Sequence, residues 1–190
     1  MISIAEHLRQ SSETLARMAE QTGPVEDAAD KICRALQSGK KMVTFGNGGS
    51  AADAQHFATE LIVRFEKERP ALPAIALSTD TSILTAAGND YSFDQIFSRQ
   101  VQALVQAGDV VVAISTSGNS RNVLEAVKEA KRKKAWVIGL TGGTGGKLKD
   151  AVDLCICVPS SRTAHIQECH IALIHGICAL VDEASLAAIA

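Results

Sequence analysis

Apolar residues near the start of the chain recur at Ile4, Leu8, Leu15 and Met18, and again at Ala28, Ile32 and Leu36. Those intervals follow the turn of an α-helix and are interrupted by Gly23-Pro24, so the spacing predicts two leading helices. Beyond residue 40 the pattern changes to short apolar runs of strand length: Met42 to Phe45, Pro73 to Leu77, Val110 to Ser115, Trp136 to Thr141 and Leu154 to Val158. Each is followed by a loop and a helical pattern, the alternation that builds a parallel sheet. Near-continuous runs such as "VVVAI" suit strands covered on both faces. The expected fold class is α/β: a three-layer open parallel sheet of about five strands with flanking helices, Rossmann- or flavodoxin-like, plus the N-terminal helices. A final long helix from Ser161 to Glu183 carries Ile166, Leu173, Ile174, Ile177, Leu180 and Val181.

Composition narrows the class. At 190 residues, 46% hydrophobic and 21% charged, with no linker or low-complexity segment, the chain reads as one domain over 1–190. Within it, 1–40 form the N-terminal helices and 41–190 the α/β core and C-terminal helix. A net charge of −2 supplies no field to attract nucleic acid, and Lys131, Arg132, Lys133 and Lys134 read as a solvated helix end. The five cysteines, at 33, 155, 157, 169 and 178, are odd in number and contain no CxxC, which argues against a disulfide framework or zinc knuckle. Reduced thiols and a cytosolic location are expected. Cys155 and Cys157 would share one face of the last strand as buried thiols. The N-terminus lacks the continuous apolar core of a signal peptide, and no later run approaches the ~20 apolar residues of a membrane span.

Two loops at strand ends carry the chemistry. In "VTFGNGGSAADAQHFATEL" an Asn-Gly pair would ordinarily signal a hairpin turn. The residues after it are helix formers, however, with Ser50 as a candidate N-cap and Asp53 in the first turn. The bend therefore joins a strand to a helix, its glycines admitting a ligand to the backbone and the helix start offering free NH groups. In "AISTSGNSRNVLEAV" the scheme repeats, with Ser115, Thr116, Ser117 and Ser120 ahead of a helix containing Val123, Leu124 and Val127. Four hydroxyls and a helix N-terminus make a phosphate cradle without a Walker sequence. "GGTGGKL" at 142 to 148 has the wrong spacing and Leu148 where Ser or Thr is needed, and GxGxxG is absent after Phe45. Paired loops at adjacent strand ends point to a small phosphorylated ligand.

On the helix after "GNGGS", Asp53, His56, Glu60 and Arg64 follow steps of 3, 4 and 4 residues and form one polar line beside Phe57, Leu61 and Phe65. An exposed, salt-bridged face is the ordinary explanation of such a line. His56 and Glu60 at i and i+4 also suit one metal ion, and a carboxylate beside a sugar carbonyl can act as a base. The last helix offers a second polar set in "HIQECHIALIH": His165, Gln167, Glu168, His170 and His175. Gln167 and His175 lie about two turns, ~12 Å, apart along the axis, so they converge only through long side chains or across a subunit boundary.

"GNGGSAADAQHFATEL", "RFEKERPALPAIALSTD", "AAGNDYSFDQIFSRQV", "GDVVVAISTSGNSRNV" and "RTAHIQECHIALIH", in that order, resemble the SIS (sugar isomerase) domain of bacterial phosphoheptose isomerases over most of residues 41 to 175. The resemblance implies a cytoplasmic homotetramer, built partly through the N-terminal helices, that converts sedoheptulose 7-phosphate into D-glycero-D-manno-heptose 7-phosphate on the route to the ADP-heptose of lipopolysaccharide. It implies about one Zn²⁺ per subunit on His56, Glu60, Gln167 and His175. It also implies Glu60 and His175 as the acid/base pair. Asn47, Gly48, Gly49 and Ser50 would meet the substrate, as would Glu60 and Gln167. Ser115, Thr116, Ser117 and Ser120 would hold its phosphate, and Asn89, Asp90 and Arg64 would touch the sugar. Some members carry an aspartate where this chain has Ala164.

A ketose–aldose interconversion moves a proton between C1 and C2 through an enediol, and needs a base, an acid and a group that stabilises negative charge. Glu60, His175 and a metal supply that set. The alternative is a non-enzymatic SIS protein that binds the replication initiator DnaA and shares the "AQHFA" and "RFE.ERP.LPAIAL" signatures. Such proteins depart from isomerases at the acid/base positions, both of which are present here.

Overall fold

In the computed structural model, which describes residues 3–187, five strands form one parallel sheet. They are β1 (Met42–Gly46), β2 (Ala74–Ala76), β3 (Val110–Ile114), β4 (Trp136–Gly142) and β5 (Leu154–Val158), in the spatial order β2-β1-β3-β4-β5. The register is in line throughout, with Val43 opposite Val111 and Val111 opposite Val137. Each strand agrees with an expected run to within a residue or two at its ends. In this order the chain reverses its direction of winding between β1 and β3, and the crevice at their carboxyl ends is where open α/β sheets bind ligands.

The period-two alternation of the strands explains the three layers. Met42, Val110, Val112 and Ile114 face one side, where α1 (Ile4–Ala19), α2 (Gly23–Gln37), α3 (Gly49–Ile62) and α8 (Thr163–Ala187) cover them. Val43, Phe45, Val111 and Ala113 face the other, under α4 (Thr81–Asp90), α5 (Ser98–Leu104), α6 (Arg121–Arg132) and the short α7 (Leu148–Ala151). Local chemistry sets several starts. Ser3 caps α1 by accepting from the Glu6 amide at 3.1 Å, and Asp80 caps α4 by accepting from Ile83 at 2.9 Å. The predicted basic helix end is the last turn of α6, with Lys131 paired to Asp153 and Arg132 to Glu129.

Three expectations are corrected. Ser50 does not cap α3: the cap is Gly48, at φ +55°, and Ser50 lies buried in the first turn. A side chain at residue 48 would strain that left-handed backbone, so the turn selects glycine there. Cys155 and Cys157 do share a face of β5, 3.6 Å apart, but both are half-buried. Lastly, Thr163–Ser185 is long and apolar enough to cross a membrane by length and composition alone. Its placement accounts for the apolarity without a membrane. Ile166, Cys169, Ile174, Ile177, Cys178 and Val181 are buried against the sheet layer, and Asp182 is ion-paired inside the protein.

Candidate active site

Both predicted loops lie at the crevice between β1 and β3, and a reciprocal amide pair bridges them. Asn47 Nδ2 donates to Asn122 Oδ1 at 2.9 Å, and Asn122 Nδ2 donates back to Asn47 Oδ1 at 2.8 Å. In the second loop Ser115 Oγ and Ser120 Oγ are 3.0 Å apart. Ser120 stands at the N-cap of α6 but makes no side-chain cap bond, and with Val123 N taken by Asn122 Oδ1 the Arg121 and Asn122 amides are left for a ligand. Thr116 is half-buried and Ser117 exposed beside them. The 142–148 loop, which lacks a Walker spacing, braces this cradle instead. The Leu148 amide donates to Gly118 O at 2.9 Å and the Lys147 amide to Asn119 Oδ1 at 3.2 Å.

The first loop meets α8. A Cβ on Gly49 would lie 2.5 Å from Gln167 Nε2, so only glycine lets that amide sit against the start of α3. Gly48 has nothing within 4 Å of such a position and leaves the loop open on its outer side. From this corner α3 and α8 run side by side, and about two turns on they bring His56, Glu60 and His175 together. The ligand-type atoms of these three lie within 4.8 Å of one another. His56 Nε2 is 2.9 Å from His175 Nε2 and 3.0 Å from Glu60 Oε1. Phe65 stacks on the His175 ring at 5.4 Å.

Three lone-pair groups aimed at one point are poorly served by hydrogen bonding, since a single imidazole proton between His56 and His175 leaves Glu60 without one. A cation satisfies all three at once, and the donor set of two imidazoles and a carboxylate is one that zinc accepts. Gln167 does not join them within one chain. It sits two turns away at Gly49, as its spacing from His175 requires.

Other expected members are spread differently. Asp53 stays on the α3 line, where burial pushes its carboxyl up to about 6 against the opposing charge of His56. Arg64 leaves the line because α3 ends at Ile62. It is exposed, 3.7 Å from Glu68. Asn89 and Asp90 close the far end of α4, bonded to each other at 2.9 Å and, among the described residues, to nothing in the two loops. On α8 the polar set separates by helical phase. His170 is buried, with Nε2 3.2 Å from Thr141 O, and burial pushes its pKa down to about 4, so it is a neutral core residue. Glu168 faces α1, where a hydroxyl contact from Ser11 and then His7 lower its carboxyl from the ordinary value. A surface hollow of about 720 Å³ between α5 and α6 holds none of these residues, so donor groups rather than concavity mark the site.

One pair escaped sequence reading. Arg69 and Asp182 are both fully buried, with Arg69 Nε donating to Asp182 Oδ1 at 2.7 Å. The same guanidinium donates to Glu60 O at 2.7 Å and Leu61 O at 2.8 Å, closing the C-terminus of α3, while Asp182 Oδ2 accepts from the Glu66 and Lys67 amides. Arg69 thus ties the backbone of Glu60 to α8. Its signal lay inside the "ERP" of a quoted motif, but nothing in that tripeptide marks an arginine as buried.

The SIS domain family model matches residues 6–142. The phosphoheptose isomerase of Campylobacter concisus is 54% identical over 181 residues, covering 95% of this chain and 96% of that protein. The chain belongs to the phosphoheptose isomerase family. Among solved structures, phosphoheptose isomerase GmhA from Neisseria gonorrhoeae superposes with a TM-score of 0.89 at 48% identity, over 95% of this chain and 97% of that one. A phosphoheptose isomerase from Francisella tularensis gives 0.92 at 41% identity, over 95% and 96%. Family membership accounts for the five-stranded sheet and its paired loops, and the DnaA-binding alternative finds no support among these relatives.

Proposed function

We propose that the chain is a sugar-phosphate isomerase that converts sedoheptulose 7-phosphate to D-glycero-D-manno-heptose 7-phosphate through an enediol. The observation that carries the reading is the meeting of Glu60 on α3 with His175 on α8, α3 being the helix that starts from the first of the two loops at the sheet's switch point, the second of which carries the Ser115–Ser120 hydroxyl pair. Ser115, Thr116, Ser117 and Ser120 bind the phosphate, and Asn47, Gly48, Gly49 and Ser50 line the path of the sugar. Glu60 takes the proton from one carbon, and His175 serves the oxygens or returns a proton to the other. His56, Glu60 and His175 are the residues that would hold Zn²⁺, about one per subunit. When bound, such an ion supplies electrophilic stabilisation of the negative charge on the enediol oxygens.

The assembly follows from the same reading. Ile4, Leu8 and Leu15 leave an apolar stripe exposed on α1, at 77%, 61% and 38%, which suits burial in a homotetramer. Gln167, Arg64, Asn89 and Asp90 are the members one chain leaves apart, and an adjoining subunit is the means of bringing them to a site. Free thiols at all five cysteines suit a cytoplasmic protein, and the product enters ADP-heptose synthesis for lipopolysaccharide. Purified protein incubated with sedoheptulose 7-phosphate tests the activity. Formation of the aldose phosphate, abolished in Glu60→Gln, is expected, and no product from metal-replete native protein would refute it.

A further inference from the structure

A second convergence of histidine and acid lies outside that site. His7 on α1 meets His165 and Glu168 on α8, with one ligand atom from each within 4.8 Å of the others. His165 and Glu168, three residues apart, share the helix face turned toward α1. His7 Nε2 is 2.9 Å from Glu168 Oε1, and the rings of His7 and His165 meet edge-on at 5.0 Å. That bond and the Ser11 hydroxyl contact on Glu168 leave the His165 ring without a partner. His165 is only 2% exposed and its Nε2 has no partner. A buried, unpartnered imidazole nitrogen beside two further lone-pair groups calls for an explanation.

We propose that His7, His165 and Glu168 form a second metal site, holding one divalent first-row transition ion of the zinc type through two imidazole nitrogens and a carboxylate oxygen. The donor set selects the ion. Two nitrogens disfavour Ca²⁺ and Mg²⁺, which take oxygen ligands, whereas imidazole with carboxylate suits zinc and its neighbours. Donors on one tetrahedral ion with bonds of ~2.0–2.2 Å lie about 3.3 Å apart. The present spread closes by side-chain rotation, because the His7 and Glu168 side chains retain 29% and 36% of their exposure. Their open side leaves the fourth position to water. His165 is ten residues before His175, ~15 Å along α8, so the two groups bind independently. An ion here fastens α1 to α8, with Arg162 bonded to Gln10 along the same seam, and so links metal binding to the seating of the N-terminal helix.

The test is stoichiometric and does not depend on the isomerase reading. Full-length protein stripped with chelator is titrated with Co²⁺, read by its visible absorption, and bound metal is counted after gel filtration. Native protein is expected to hold two ions per chain, His7→Gln one, His175→Gln one and the double variant none. His7→Gln alters a partly exposed side chain, and circular dichroism checks its fold. His165→Asn, tested the same way, must lose the same ion. Added Zn²⁺ should raise the melting temperature of His175→Gln but not that of the double variant. Equal metal content in native and His7→Gln protein, or no metal in His175→Gln, overturns the proposal whatever the outcome of the isomerase assay.

Discussion

Removing the Arg69 guanidinium, as in Arg69→Met, should be among the most damaging single changes outside the reacting groups. The side chain is fully buried, as is its partner Asp182, and it donates four hydrogen bonds, to Asp182, Glu60 O, Leu61 O and Pro70 O. Methionine keeps the length but strands a buried carboxylate and uncovers the last carbonyls of α3. Breaking one side of a buried pair costs about 3–5 kcal/mol, a large share of the ~5–15 kcal/mol that stabilises a domain. With a urea slope of about 2 kcal/mol/M, the unfolding midpoint at fixed protein concentration should fall by roughly 1.5–2.5 M. Arg69→Met/Asp182→Leu, which removes both charges, should recover at least half of the loss. Because Arg69 fixes the backbone of Glu60, kcat should also fall about 10- to 100-fold in protein that is still folded, the scale expected when a reacting group is misplaced. A loss below about 1 kcal/mol with native kcat would refute both the energetic argument and the positioning role.

Ser117→Ala and Ser120→Ala should each weaken binding of the sugar phosphate roughly ten-fold or more, from ~1.5–3 kcal/mol per hydrogen bond to a charged oxygen; calorimetry showing native affinity in both would move the phosphate elsewhere. His56→Ala should lower zinc content by about one ion per chain by elemental analysis, and unchanged content would remove this triad as a metal site. Gly49→Ala should displace Gln167, whose amide nitrogen lies 2.5 Å from the added carbon, and raise KM; a native KM would deny that the start of α3 needs glycine there. His170 should contribute a loss of stability as pH drops from about 6.5 to about 4, because it stays neutral in the fold, its pKa pushed down to about 4, while the unfolded chain takes up a proton. Asp53, pushed up to about 6, opposes it over the same range, so the His170 limb is read as the difference between native protein and His170→Asn. At ~1.4 kcal/mol per unit the limb is worth at most about 3 kcal/mol. Asp182 acts below that range: burial pushes its carboxyl up, but the Lys67 amide, Arg69 and the Glu66 amide outweigh that and hold it below its ordinary value, so its stabilisation is lost as pH falls below about 4. Urea midpoints of His170→Asn that keep the full native slope between those pH values would show the histidine is not the source.

Periodicity and turn chemistry made the sheet legible, because each strand is bounded by its own loop and the central strands are buried on both faces. The two ligand loops were legible for a related reason: hydroxyls and glycines ahead of a helix start have few other uses. Phase on α8 was not. "HIQECHIALIH" lists five polar residues, but which faces α1, the core, Gly49 or α3 depends on three packed helices, and only packing shows that His170 is a core residue and Gln167 a neighbour of Gly49. The end of α3 was hidden similarly. "ATELIVRFE" continues as a helix by propensity, but Arg69 takes the carbonyls of Glu60 and Leu61 and the Leu72 amide returns to Leu61 O at 3.0 Å, so Arg64 falls outside it. Long-range bonds of this kind leave no local trace in sequence.

Solvent isotope exchange tests the central claim most directly. Metal-replete protein is incubated with sedoheptulose 7-phosphate in deuterated water, and the recovered sugars are analysed by mass and NMR for deuterium at C1 and C2. An enediol formed by Glu60 lets the abstracted proton escape to solvent before one is returned, so deuterium should enter at those carbons alone. Glu60→Gln and His175→Gln should each reduce turnover by ~10² to 10⁴, with metal content measured on the same samples. Native protein that binds the sugar phosphate and retains its metal, yet gives neither turnover nor exchange, would contradict the account.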